Sequence, residues 1–319
     1  MLTPIAKHIA ENTLVMPKHI LVATDLTDMG YLLPYVVTQA KASNAQVTLL
    51  HAVVPSDSLP VETAMVSYID REAIDRDVRA TLLGMARQIE ARGIRCDISI
   101  IHGYAANVIR EEIRRTGATR LILGTHGRGK IGQLALGSVA HELLTKVDVP
   151  IFAIGPHAHD AVTHVALRHI LHPVSFRDDN QESFHLAFGI AQAYGAQLTL
   201  LHVSDQKFQD RINPLRTVDW AKNAMEALIP AVTDLASPVH MRVTSGDLAE
   251  EVLNEAIHTN AAVSYTHLDV YKRQTGYIAG CRVFEHFFRI TERKRCTFSA
   301  ASSGARYPKT RWALPTNRH

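Results

Sequence analysis

The chain of 319 residues is short of cysteine and of long apolar runs, and each shortage closes off a class of protein. Three cysteines, Cys96, Cys281 and Cys296, with no C-x-x-C and no zinc-finger spacing, indicate neither a disulfide framework nor a cysteine metal site. No run approaches the roughly 18 apolar residues of a membrane span. Met1 to Met16 holds no continuous apolar core of the secretory kind, so a cytoplasmic protein with no membrane partner is expected. The pattern GxxxxGK[ST] is also missing, which removes the usual phosphate-loop lysine. The 18 histidines offer no ligand spacing: His164, His169 and His172 miss the i, i+4 separation of a helical zinc pair, and His169 opens a strand-like run, so no metal site is assigned.

What is there is a globular composition, 46% hydrophobic and 20% charged, in a chain long enough for two domains of about 150 residues. Apolar periodicity alternates between strands and helices. Strands are predicted over Ile20 to Thr24, Gln46 to Val53, Arg95 to Ile101, Arg120 to Leu123 and Val149 to Ile154. Between them, helices are predicted over Met29 to Ser43 with Asp28 as N-cap, Val61 to Arg92, Ala106 to Arg115 and Ser138 to Thr145. Such alternation requires parallel pairing through right-handed crossovers, hence a doubly wound, Rossmann-like α/β sheet, and ligands on these sheets sit at the carboxyl ends of the strands. Asp25, Ala52 and Gly124 all fall at such ends.

The densest chemical signal lies between Leu121 and Val139. The apolar strand Leu121-Ile122-Leu123 runs into Gly124-Thr125-His126-Gly127-Arg128-Gly129, and a helix opens later on Gly137-Ser138. A glycine-rich turn feeding a helix N-terminus offers main-chain N–H groups and the positive end of the helix dipole to a phosphate. Gly124 and Gly127 are expected to bracket a turn that needs positive φ, and Gly137 to admit the phosphates close to the backbone, with the Ser138 hydroxyl donating to a phosphate oxygen. An isolated Gly-x-x-Gly is an ordinary turn; the full spacing is what carries the signal.

Gly124, two residues, Gly127, nine residues, then Gly137-Ser138 resembles the signature of the ATP-binding branch of the universal stress protein family. The first strand ending in Asp25 and the second strand Thr48-Leu49-Leu50-His51-Ala52-Val53 match the family's style, so the resemblance covers about residues 17–156. It implies an adenine nucleotide alpha hydrolase-like fold and ATP as the ligand, alone or with Mg²⁺. It further implies Ala23, Thr24 and Asp25 around adenine and ribose and Ala52 with its backbone beside the base. Gly124, Gly127 and Arg128 would form the phosphate loop, with Gly137, Ser138 and Val139 as phosphate contacts at the helix start. Asp25 also suits a plain turn cap, and Arg128 a solvated position.

Phosphoryl transfer needs a positioned nucleophile, a metal-ligand set and added positive charge, and no general base is identifiable beyond His126, whose titration range is suitable. No catalytic residue is assigned. A nucleotide-binding protein with a regulatory or stress-tolerance role is expected, with slow ATP hydrolysis, or a dimerisation module independent of nucleotide, as the open alternatives.

The second half echoes the first. His169-Ile170-Leu171 follows His19-Ile20-Leu21, and Ala196-Gln197-Leu198-Thr199-Leu200-Leu201-His202 follows Ala45-Gln46-Val47-Thr48-Leu49-Leu50-His51. Gly246 to Ala261 tracks Gly103 to Ala118. Two tandem domains are therefore expected, 17–156 and a partial copy at 164–262, able to pair within the chain or by self-association. Ser175 aligns with Asp25, and His267 and Val270 with Gly124 and Gly127, so the second copy is not expected to bind ATP in the same way.

Beyond Ala262 the pattern stops. Val263-Ser264-Tyr265-Thr266-His267-Leu268-Asp269-Val270-Tyr271-Lys272-Arg273-Gln274 can be encoded by GTCTCTTATACACATCT followed by AGATGTGTATAAGAGACAG, whose second half is the reverse complement of the first, slightly extended. This resembles two transposase-end adapters joined head to head. Residues 263–319 carry 11 Lys+Arg and 3 Asp+Glu against 23 and 28 in residues 1–262, so the basic balance belongs to this segment alone. It is expected to be a chimaeric, poorly ordered tail, not a nucleic-acid arm, and its loss of native strands is expected to leave the second sheet with an uncovered edge. An uninterrupted native reading frame across codon 262 at the genomic locus would exclude this origin.

Overall fold

The computed structural model describes residues 15–54, 71–125, 138–155, 167–176, 181–204, 214–230, 238–259, 261–264 and 286–288. The first half runs β1 (His19–Ala23), α1 (Met29–Ser43), β2 (Gln46–Val53), α2 (Arg71–Glu90), β3 (Cys96–His102), α3 (Ala105–Thr116), β4 (Arg120–Gly124), α4 (Ser138–Lys146) and β5 (Ile151–Ile154). The smaller second half contributes β6 (His169–Pro173), α5 (Gln181–Tyr194), β7 (Gln197–Ser204), α6 (Pro214–Glu226), β8 (His240–Ser245), α7 (Leu248–Thr259), β9 (Ala262–Ser264) and β10 (His286–Phe288). The sequence expectations agree with these bounds to within about two residues wherever both ends of an element are described.

All the strands join one sheet in the order β3-β2-β1-β4-β5-β10-β9-β6-β7-β8. Every pairing is parallel except β10 with β5. The first five strands and, read from the other edge, the last five follow the same 3-2-1-4-5 pattern, which is the doubly wound α/β arrangement. The chain reverses direction across the sheet between β1 and β4, whose register is Ile20↔Arg120 through Ala23↔Leu123. No described helix is long and apolar enough to cross a membrane.

The strands are apolar at successive positions because both faces of the sheet are covered. Ile20, Val22, Val47, Leu49, Ile122 and Phe152 point to one side, against α1 and α2. Leu21, Leu50, Leu121, Leu123 and Ile151 point to the other, against α3 and α4. The first of these layers is continuous through both halves, running on into Ile170, Leu198 and the α5 residues Phe184, Ala187, Ile190 and Ala191. The opposite face of the second half, under α7, is a separate small cluster of Leu171, Leu201, Val252, Ala256 and Ala261.

The two halves share local hydrogen bonds as well as strand order. His19 Nδ1–H donates to the Thr116 carbonyl (3.2 Å) and its Nε2 meets the Thr48 hydroxyl (2.9 Å). His169 does the same with Thr259 (3.2 Å) and Thr199 (2.7 Å). His169 is thus a bracing residue between sheet and helix, and burial pushes its pKa below the ordinary value. Among the described residues no three His, Cys, Asp or Glu side chains converge on a point. His164 lies outside the described residues.

The uncovered edge expected beside Ala262 is not what the structure has. Ala262–Ser264 pairs with β6, and His286–Phe288 lies between β9 and β5, with His286↔Ile154 and Phe287↔Ala153. Three-residue segments suffice to occupy these places because main-chain pairing makes no demand on side-chain identity.

One buried charge ties the halves together. Arg120, at the start of β4, is fully buried, donates to Gln39 Oε1 (2.9 Å) on α1 and the Val15 carbonyl (3.2 Å), and stacks 4.6 Å over the Phe152 ring. Its guanidinium also lies close to the Tyr194 hydroxyl at the end of α5, which accepts no hydrogen bond among the described residues, and burial lowers its pKa to about 10. Val15 in turn packs on Gly189 of α5, where a Cβ would come within 2.5 Å of Val15 Cγ2. Arg120→Ala should cost on the order of 3 kcal/mol in urea unfolding, through a cavity beside Phe152 and stranded acceptors on Gln39 and the Val15 carbonyl. Arg120→Met, which refills the volume, should recover part of that loss.

Candidate functional site

The winding reverses between β1 and β4, and the carboxyl ends of such strands are where doubly wound sheets form a binding crevice. Its first wall is the turn from β1 to α1. Thr24 N–H donates to the Leu50 carbonyl (3.0 Å), which holds the turn to the end of β2. The Thr24 hydroxyl accepts from Leu26 N–H (2.9 Å) and donates to Asp28 Oδ1 (2.5 Å). Leu26 sits at φ 75°, a left-handed conformation uncommon for a side chain of its size, and this relay helps hold it. Asp25 Oδ1 accepts from Thr27 N–H (2.8 Å) and from the Thr27 hydroxyl (2.7 Å), which is an Asx turn and bears out its capping character. On the β2 side, His51 Nδ1–H donates to the Thr24 carbonyl (2.8 Å), and Ala52 lies half-buried beside it.

The second wall is Gly124. It ends β4, pairing with Ile154, and its φ is not positive, so the left-handed turn expected of it is absent. The requirement for glycine is steric instead. A Cβ there would lie 2.5 Å from Tyr31 Oη and 2.8 Å from Asp28 Oδ2. The start of α1 packs directly on the bare backbone of β4, which a sequence reading that assigned Gly124 to a turn could not anticipate.

Asp28 likewise departs from its expected role. Its main-chain carbonyl accepts from Tyr31 and Leu32 N–H as an N-cap's should, but its carboxylate makes no capping bond and turns inward to Thr24. Burial pushes its pKa up to about 6, and the nearby Asp25 carboxylate adds to the rise, partly offset by the Thr24 hydrogen bond. Burial, Asp28 and Asp25 together push the Tyr31 phenol far up, so it stays protonated. Asp28 and Tyr31 escaped the sequence reading as site residues; the one available signal is a tyrosine a single turn after an acidic residue at a helix start.

Beyond β4 the chain returns at α4, whose first two residues, Ser138 and Val139, are exposed. The first turn of α4 has no acidic residue, so the positive end of its dipole is not cancelled by its own helix. Ala23, Thr24, Asp25 and Gly124 are brought together by β1 and β4, with Ala52 on the adjoining β2. Gly127, Arg128 and Gly137, and the rest of the 126–137 segment, lie outside the described residues.

Comparison with known proteins bears on the fold. Residues 16–155 match the Universal stress protein family. The chain is similar to Universal stress protein MJ0531 of Methanocaldococcus jannaschii, 24% identical over 140 residues, covering 43% of this chain and 81% of that protein. Among solved structures it resembles a universal stress protein from Archaeoglobus fulgidus DSM 4304, with TM-score 0.61 and 18% identity over 86% of this chain and 98% of that one. A functionally unknown protein from Pseudomonas aeruginosa PAO1 gives TM-score 0.55 and 14% identity over 88% of this chain and 94% of that one. At these identities the structural likeness speaks to the fold, and it extends through both halves.

Gly124→Ala should lower stability by roughly 1–3 kcal/mol in thermal or urea unfolding. The double variant with Tyr31→Phe should recover part of it, since the hydroxyl is one of the two atoms in the way; strictly additive losses would show that the two positions do not touch. For Asp28, the folded pKa of about 6 lies above the unfolded 3.8, so the folded state holds the proton more tightly. Its contribution is therefore complete below pH 3.8, declines as pH rises toward 6, and stays lost above. Asp28→Asn should flatten that part of the stability–pH curve and raise stability at pH 7 by as much as roughly 3 kcal/mol; an unchanged slope between pH 4 and 6 would contradict the assignment.

Proposed function

We propose that residues 17–156 form a universal stress protein domain that binds ATP, and that nucleotide occupancy serves a regulatory or stress-tolerance role in the cytoplasm. Adenine and ribose would lie against Ala23, Thr24, Asp25 and Ala52, and the phosphates against Gly124, Gly127, Arg128, Gly137, Ser138 and Val139. The observation that supports this reading is the parallel β1–β4 pairing, with a small-residue strand end and an Asx turn after β1, and, further along the chain, a helix whose first turn carries no acidic side chain. The two carboxylates, Asp25 and Asp28, stand on the β1 side, where they favour the sugar and base over the phosphates. Mg²⁺ accompanying ATP would be carried by the triphosphate, and we assign it no protein ligand.

Residues 164–262 are, on this reading, a partial second copy that packs on the first, and residues 263–319 an adapter-derived tail. The shared strand order and the matching His19 and His169 bonds support the tandem. Ser175, at the place of Asp25, leaves the second copy without the acidic ribose partner.

Calorimetric titration of the full chain with ATP should give one site. Asp25→Ala should weaken it about tenfold, the equivalent of one hydrogen bond to a charged group. No heat with ATP, or an Asp25→Ala chain that binds like the parent, would sink the proposal. Single-turnover assays with Gly127→Ala as control should show no turnover above background, whereas clear turnover would favour the slow hydrolase.

A further inference from the structure

Asp28 is a carboxylic acid buried beside a second one and without a cation. It is 4% exposed, its Oδ1 accepts from the Thr24 hydroxyl (2.5 Å), and among the described residues no lysine, arginine or histidine pairs with it. Gly124 is what admits it: Oδ2 lies over the bare backbone there, 2.8 Å from where a Cβ would stand. That is the residue at which β4 ends and the glycine-rich segment begins. The titratable groups around Asp28 are Asp25 on the β1–α1 turn, Tyr31 in the first turn of α1, and His51 on β2, which reaches the turn through the Thr24 carbonyl. At this end β4 brings none, since Gly124 and Thr125 carry no ionisable side chain.

The turn keeps its hydrogen bonds in either protonation state. Thr24 donates to Oδ1 whether or not Oδ2 carries a proton, and its own oxygen goes on accepting from Leu26 N–H (2.9 Å). Ionisation therefore adds a second negative charge behind the strand end without dismantling it. Burial already pushes the Asp28 pKa up to about 6, with Asp25 adding to the rise. A polyanion arriving at residue 124 acts on the same carboxyl in the same direction, because it too disfavours the charged form. By linkage, a ligand that raises the pKa of a group takes up a proton and binds the protonated form more tightly.

We propose that Asp28 makes nucleotide binding proton-linked: resting on the ATP site proposed above, the first half takes ATP with the Asp28 carboxyl protonated, so that acidification tightens binding and a rise in pH loosens it. The affinity should be highest below about pH 6, where Asp28 is protonated with or without ligand. It should fall about fivefold between pH 6 and 8, the size of one carboxylate opposed to a polyphosphate through solvent and salt. Calorimetric titration of the full chain with ATP at both pH values, beside Asp28→Asn, isolates this effect, because Asp25, His51 and the phosphates are common to both chains. Relative to Asp28→Asn, the parent should show the extra fivefold fall and, at pH 7, an extra fraction of a proton taken up, read from the heats in two buffers of different protonation enthalpy. In the parent alone, the carbon-13 carboxyl signal of Asp28 should titrate at higher pH with ATP bound than without. Matching pH profiles in the two chains, or an Asp28 carboxyl whose titration ATP leaves in place, would overturn the proposal while leaving the ATP site standing. No heat with ATP in either chain at either pH would remove that site and this linkage with it.

Discussion

The parallel pairing of β1 with β4 is the constraint on which the rest depends. These strands are separated by about 100 residues of sequence and by three helices, yet they run side by side from Ile20↔Arg120 to Ala23↔Leu123. The pairing makes the sheet reverse its winding, and the reversal creates the crevice. It closes without strain only because residue 124 has no Cβ, so that Asp28 and Tyr31 can lie directly on the backbone of β4. The same strand begins at Arg120, whose buried side chain reaches Gln39 and Tyr194. One five-residue strand thus has the crevice at its end and the contact between the halves at its start.

Burial governs the electrostatics of both places. Asp28 holds its proton to about pH 6 chiefly because it is buried against β4, with the Asp25 carboxylate, three residues back, adding to the rise. Arg120 is kept in the interior by hydrogen bonds and by the Phe152 ring beneath it, the arrangement that makes a buried guanidinium tolerable. In each case desolvation is the leading physical cause, and hydrogen bonds offset part of it.

The two halves show how one frame diverges. His19 and His169 brace sheet to helix in the same way, and Gly103 and Gly246 share a φ of 152° after their third strands. At the crevice they part: Thr24, Asp25 and Leu26 in one half give way to Val174, Ser175 and Phe176 in the other. The backbone bonds survive because they use main-chain carbonyls, so side chains can change around them without loss of the frame.

Period and composition settle the order of elements by themselves, because strands covered on both faces must be apolar throughout and helices covered on one face must repeat near every 3.6 residues. Helix α1, strand β2 and the placement of Ala23, Thr24, Asp25, Ala52 and Gly124 at strand ends could all be read from local sequence. The reason for Gly124, the inward turn and raised pKa of Asp28, the role of Tyr31 and the burial of Arg120 could not. Local partners such as Thr24 and Asp25 contribute to Asp28, but each feature also depends on burial against atoms that strand pairing brings near from tens to about a hundred residues away, and on the water which that approach excludes. Distance along the chain carries no trace of either, so those features were decided by the tertiary structure alone.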